Sequence, residues 1–102
     1  MTRTYSCYRV NGYPRVDVLE GNRNRPLLPG PSFKVARLDN EFDWGTGGSA
    51  PDQLALAILM DLYDDKALAL KNYDSIKWTL LAIAPRAGVN IEESQVRALV
   101  KR

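Results

Sequence analysis

The 102-residue chain carries 14 Lys plus Arg, 12 Asp plus Glu and no His, a net charge of +2, with 45% hydrophobic and 25% charged residues. This length builds one domain, residues 1–102, and the composition excludes a disordered chain, a collagen-like chain and a disulfide scaffold. With no His and a single Cys, the usual general base, triad partner and metal ligands are missing, so no enzyme, catalytic residue, metal or cofactor is expected.

The longest apolar run, residues 54–60, is far short of the ~20 residues that a membrane span needs. Residues 1–6 lack the apolar stretch of a signal peptide, and the lone Cys7 has no partner for an internal disulfide. A cytoplasmic protein without a membrane partner is the expectation.

Charge is unevenly placed along the chain. Residues 1–40 hold seven bases against three acids, a net of +4. Residues 41–65 hold six acids and no base, and residues 66–102 return to seven bases against three acids. The plainer reading is that the acidic segment neutralises the basic ones in space. The functional reading is a basic face built from Arg3, Arg9, Arg15, Arg23, Arg25 and Arg37, where Arg outnumbers Lys six to one.

The first elements read as strands. Residues 4–10 are rich in strand formers and end at Asn11-Gly12, the dipeptide best suited to a type I′ hairpin turn. Residues 13–19 alternate polar and apolar and complete the hairpin, with Pro14 at a strand start or an edge. Residues 20–32 are a Gly-, Asn- and Pro-rich loop with a short Leu27-Leu28 strand at most, and residues 32–38 read as a third strand.

A glycine-rich loop follows Trp44. Ser49 is the expected N-cap of a long helix, with Asp52 completing a capping-box pattern and Pro51 in the first turn. Gly45, Gly47 and Ala50 match the spacing of a dinucleotide fingerprint, but a second helix follows the first where a parallel strand would be needed. No Gly-Lys-Ser/Thr is present for a P-loop. Residues 54–63 leave almost no polar face, so this helix should be central and buried.

Asp64 or Asp65 caps the next helix, expected over 66–84 with Leu70, Tyr73, Ile76, Leu80, Ile83 and Ala84 on its apolar stripe and Trp78 offset from it. Asp61, Asp64 and Asp65 would share a face only in an unbroken helix, so solvated capping acids are favoured over a divalent-cation site. Residues 85–88 end the helix. Asn90 then caps a short third helix over 91–100, with Glu92 and Glu93 in its first turn.

Residues 44–59, running W-G-x-G-G-S-x-P-x-Q-L-A-L-A-I-L, resemble a family of small bacterial and phage domains of unknown function. The likeness extends through Ala67, Leu68, Ala69, Leu70, Tyr73, Ile76 and Lys77 and covers roughly residues 42–78. It implies no catalytic role. Its occurrence in phage and mobile elements implies a small inhibitor or accessory protein that acts by binding a host factor.

The expected architecture is α+β: an antiparallel sheet of three or four strands packed against two long helices and a short third one, with Leu54, Ile58, Leu62, Leu70, Tyr73, Ile76 and Leu80 in the core. Three functions follow in order of preference. The first is a non-catalytic protein-binding module using Arg9, Arg15, Arg23, Arg25, Trp44 and Trp78. The second is a nucleic-acid binder that pairs the hairpin arginines with Tyr5, Tyr8 and Tyr13. The third is a nucleotide or small-ligand site at Gly45, Gly47, Gly48, Ser49 and Gln53. A homodimer is compatible with all three.

Overall fold

The computed structural model describes residues 2–102. In chain order it contains β1 (Arg3–Val10), β2 (Tyr13–Glu20), β3 (Arg23–Pro26), a 3-10 turn (Gly30–Lys34), α1 (Ser49–Tyr63), α2 (Lys66–Ile76), a π-helical turn (Lys77–Leu81), β4 (Gly88–Glu92) and α3 (Glu93–Leu99). The four strands form one antiparallel sheet in the order β3-β2-β1-β4. The α+β architecture matches the sequence expectation. Among the described residues no helix is long and apolar enough to cross a membrane.

The hairpin forms as its turn dictates. Asn11 and Gly12 both take positive φ, at 53° and 84°, and Val10 sits opposite Tyr13. Alternation then sorts the two faces. Tyr5 and Cys7 of β1, Val16 and Val18 of β2, and Ile91 of β4 are buried and join residues 54–59 of α1 in one core. Burial pushes the Cys7 thiol up to about 12, so it packs as a neutral, inert group.

The third and fourth strands differ from expectation. Residues 32–38 do not form a strand: Pro31 starts the 3-10 turn Gly30–Lys34, the N–H groups of Val35 and Ala36 turn back to Ser32 O, and Gln53 binds Ala36 O and Leu38 N–H. The third strand is Arg23–Pro26, just before Leu27-Leu28. The fourth comes from the far end of the chain. Gly88 lets it approach β1, because a Cβ there would lie 2.7 Å from the Cys7 carbonyl oxygen. Val89 then pairs with Cys7 and Ile91 with Tyr5. Residues 88–92 are therefore a strand, and Asn90 does not cap a helix. Glu92 caps α3 instead, in a reciprocal capping box with Gln95.

Helix α1 is central, as its composition requires, with residues 54–59 almost free of solvent contact. Its N-cap is Gly48, which has no side chain to cap with; Ser49, expected in that role, is the first helical residue, and its hydroxyl donates to Asp39 Oδ2 at 2.6 Å. The helix ends where expected: Asp64 turns left-handed, and Asp65 caps α2 by accepting the Leu68 N–H at 3.1 Å.

Helix α2 presents a different face from the one its apolar spacing suggests. Leu68, Ala69, Asn72 and Ile76 are buried, while Leu70 and Ile83 are 48% and 76% exposed. The buried row passes through a polar residue, which conceals it from a hydrophobic pattern. The Asn72 side chain donates to Leu68 O and Lys101 O and accepts from Lys101 N–H, so it anchors the C-terminal tail. The π turn inserts a residue and brings Leu81 and Ala84 inward. Leu54, Ile58 and Ile76 occupy the core as expected, whereas Leu62, Tyr73 and Leu80 lie at its margin.

Asp61 is not a solvated capping acid. Its carboxylate accepts from Tyr5 Oη at 2.6 Å, Arg25 Nη2 at 2.5 Å and Arg3 Nη1 at 3.3 Å, and Arg3 also donates to its backbone carbonyl. Arg3 reaches Glu20 as well, and its own N–H donates to Glu93. Replacing Asp61 by Ala leaves the buried Tyr5 hydroxyl without its acceptor and removes the carboxylate partner of Arg25 and one of the two that hold Arg3. Chemical denaturation should show Asp61→Ala less stable by about 2–3 kcal/mol, with Tyr5→Phe losing about 1 kcal/mol.

Candidate interaction surface

The glycine-rich loop is built to clamp the fold. Trp44 is fully buried and its Nε1 donates to Arg86 O at 3.1 Å. It therefore lies away from the partner surface expected of it. Gly45 takes φ 73°, donates to Leu81 O at 2.8 Å, and leaves no room for a Cβ, which would fall 2.6 Å from Arg86 Cγ. A Cβ at Gly47 would press on the Trp78 ring at 3.1 Å, and only Gly48 faces open space.

Gln53 is completely buried, and both ends of its amide are fully engaged. Its oxygen accepts the N–H groups of Leu38 and Asp39 at 2.6 and 3.0 Å. Its nitrogen donates to Ser32 Oγ at 2.7 Å and Ala36 O at 3.0 Å. No hydrogen-bonding capacity is left for a ligand. Asp39 and Asp52 stand at the same helix start and oppose an anion there. The Gly45, Gly47, Gly48, Ser49 and Gln53 set thus joins residues 32–39, α1 and the π turn.

The arginines divide into two groups. Arg9 lies 4.6 Å from the Trp44 ring centroid and bonds Arg86 O at 2.6 Å and Asp43 Oδ1 at 2.7 Å. Arg3 and Arg25 are held by Asp61. Three basic residues of the N-terminal segment are thus neutralised by the acidic segment, as the plainer charge reading anticipates. Arg15, Arg23 and Arg37 are exposed and make no salt bridge among the described residues. Trp78 is 52% exposed, as its offset position suggests, with Nε1 bonded to Asp74. Its neighbour Lys77 is buried against Asp52 at 3.1 Å, and its ammonium lies 4.5 Å from the Trp78 ring centroid.

The hairpin end carries the feature most suited to recognition. Tyr8 pairs with Arg15 and Val10 with Tyr13, on the sheet face turned away from the core. The loop from β3 brings Leu28 alongside, and Glu41 comes from the segment that Gln53 anchors. Together they line an open cleft of about 670 Å³. Tyr8, Val10, Tyr13 and Leu28 are all exposed large apolar residues, with Tyr13 reaching 71%. The Tyr8 hydroxyl donates to Asp17 at 2.9 Å, which fixes the ring and raises the tyrosine pKa. Arg15, Asp17 and Glu41 are the charged groups of the lining, with acids in the majority.

A second cleft of about 610 Å³ lies on the other side of Leu28, against α1, where Arg25, Lys34 and Lys66 meet Asp61 and Asp64. Neither cleft includes Trp78, Arg9 or Arg23. The sequence singled out Tyr8, Tyr13 and Arg15. Leu28 and Glu41 come from loops that only the tertiary fold brings beside them. Among the described residues there is no group of three metal-ligating side chains.

These features define a small α+β domain: one four-stranded antiparallel sheet, a buried central helix, and an aromatic cleft at the hairpin end. The chain belongs to DUF6166, a family of unknown function whose model matches residues 7–102, a wider span than the 42–78 stretch that carries the resemblance. No curated protein and no solved structure matches it.

Two measurements test the clamp. Gln53→Ala leaves the N–H groups of Leu38 and Asp39 without their acceptor, so hydrogen exchange across residues 32–39 should accelerate at least about tenfold while β1 stays protected. The second concerns Asp43. Burial alone would raise its pKa. The Arg9 hydrogen bond, the Trp44 N–H and the charges of Arg9 and Arg86 outweigh burial and hold the carboxyl below the ordinary aspartate value. Its stabilising contribution is complete above about pH 4 and is lost as the pH falls through the lower folded value. Stability measured against pH should therefore fall less steeply below pH ~4 in Asp43→Asn than in the native chain.

Proposed function

We propose that this chain is a non-catalytic protein-binding module that docks through the cleft at its hairpin end. One observation carries the reading: among the described residues, four of the eight exposed large apolar side chains converge on this cleft, beside an arginine that makes no salt bridge. Tyrosine and arginine are the side chains that most often anchor protein interfaces. Trp78 stands apart, as a second contact region at most. The resemblance of residues 42–78 to bacterial and phage domains directs the search to a host factor in the cytoplasm, bound by an inhibitor or accessory protein.

Charge weighs against the nucleic-acid reading. Arg3, Arg9 and Arg25 are committed to carboxylates, Tyr5 is buried, and Arg15 shares its cleft with two acids. A phosphate backbone would meet repulsion beside the aromatic rings that are meant to stack on its bases.

Capture from a lysate of the native host, with and without nuclease, tests the proposal. A protein partner should persist after nuclease treatment, be lost with Tyr13→Ser, and be retained by Trp78→Ala. Loss of every partner on nuclease treatment would transfer the assignment to nucleic acid.

A further inference from the structure

We infer that the cleft takes an extended, proline-rich peptide segment carrying a basic side chain. This rests on the docking role proposed for the cleft and names the chemistry of its occupant. The argument begins with the backbone at the outer edge of β2. Strand β3 covers only Asp17–Glu20, so the edge from Tyr13 to Val16 has no neighbouring strand. The Val16 carbonyl on that side already accepts the Leu27 N–H at 2.8 Å. Alternation along the strand turns the backbone of Pro14 the same way, and proline has no N–H to offer. A peptide adding a β-strand here meets an occupied carbonyl at Val16 and no N–H donor at Pro14.

Recognition must then fall to side chains. Tyr8 and Tyr13 supply aromatic faces, and Pro26 and Pro29 supply rigid apolar ones. Polyproline II segments suit such walls: they are already extended and lose little conformational freedom on binding. Their backbone bares carbonyl oxygens that need donors. The Arg15 guanidinium and the Tyr13 hydroxyl line the cleft and donate to no other group among the described residues. Charge fixes the remaining feature. Glu41 is exposed and enters no salt bridge among the described residues, while Asp17 is engaged by Tyr8. A cationic side chain on the ligand complements Glu41, and an acidic one is repelled.

The test uses the full chain, labelled with ¹⁵N, and three synthetic blocked peptides of equal length. One is proline-rich with a single Arg, one replaces that Arg by Glu, and one keeps the Arg in a Gly/Ser background. The Arg-bearing proline peptide should shift the amides of Tyr8, Val10, Tyr13 and Glu41, with both other peptides at least about tenfold weaker. Tyr13→Ser should weaken it about tenfold, and Glu41→Lys should reverse the preference towards the Glu-bearing twin. Both residues are exposed, and the dispersion of the free spectra verifies that the variants fold. Equal binding of the Gly/Ser peptide, or shifts centred elsewhere, would overturn the inference. Absence of binding by all three peptides would overturn it too. If Tyr13→Ser still abolished nuclease-resistant capture, the cleft would remain the docking face with a different occupant. If capture were also unaffected, both readings would fall.

Discussion

Helix α1 has no polar face along residues 54–59, so it is stable only when surrounded. Two polar side chains near its ends secure what surrounds it. Gln53 holds the connection between the sheet and the helix by four hydrogen bonds. Asp61, eight residues later and about 12 Å along the axis, holds β1 and β3 through Tyr5, Arg3 and Arg25. The apolar centre supplies the driving force without specifying direction. The two ends specify which elements lie against it and in which register. They also place the cleft, because Glu41 follows the loop that Gln53 fixes and Leu28 follows the strand that Asp61 fixes.

The same logic explains a charge distribution that looks, in sequence, like a binding footprint. An acidic middle segment between basic flanks would be a steering field only if the segments stayed apart. In the fold Asp43 meets Arg9 and Arg86, Asp52 meets Lys77, and Asp61 meets Arg3 and Arg25. The segments attract one another, and several of the arginines that looked available are internal struts. What remains unpaired is a smaller and more mixed set, which suits recognition of a shaped partner better than long-range attraction to a polyanion.

Local chemistry determined much of this fold, and those parts could be read from residues alone. Asn11-Gly12 dictates its hairpin, the unbroken apolar run dictates a buried helix, and Asp65 dictates the start of α2. The misread parts depend on partners distant in sequence. Residues 88–92 alternate weakly and run into a true helix, and only the closeness that Gly88 permits against Cys7 makes them a strand. Residues 32–38 have strand-like composition, but their N–H groups turn back locally to Ser32 O, and Gln53, distant in sequence, takes Ala36 O and Leu38 N–H. The face of α2 was hidden because its inward row contains Asn72. The proposed recognition surface divides in the same way. Tyr8, Tyr13 and Arg15 were visible as neighbours across a hairpin, whereas Leu28 and Glu41 had no sequence signal linking them to it.

Strand β4 ties the far end of the domain to its beginning. Strand β1, the first element of the domain in chain order, lies second from the sheet's edge and needs a neighbour about eighty residues further along the chain. Its Tyr5 and Cys7 complete their surroundings only when Ile91 and Val89 arrive. On the ribosome, a nascent chain ending before residue 88 carries α1 and the hairpin without this fourth strand, its apolar helix only partly covered. The sheet is therefore complete only once residues 88–92 are available, and a chain cut before them leaves the core face of β1 and α1 without Ile91 and Val96.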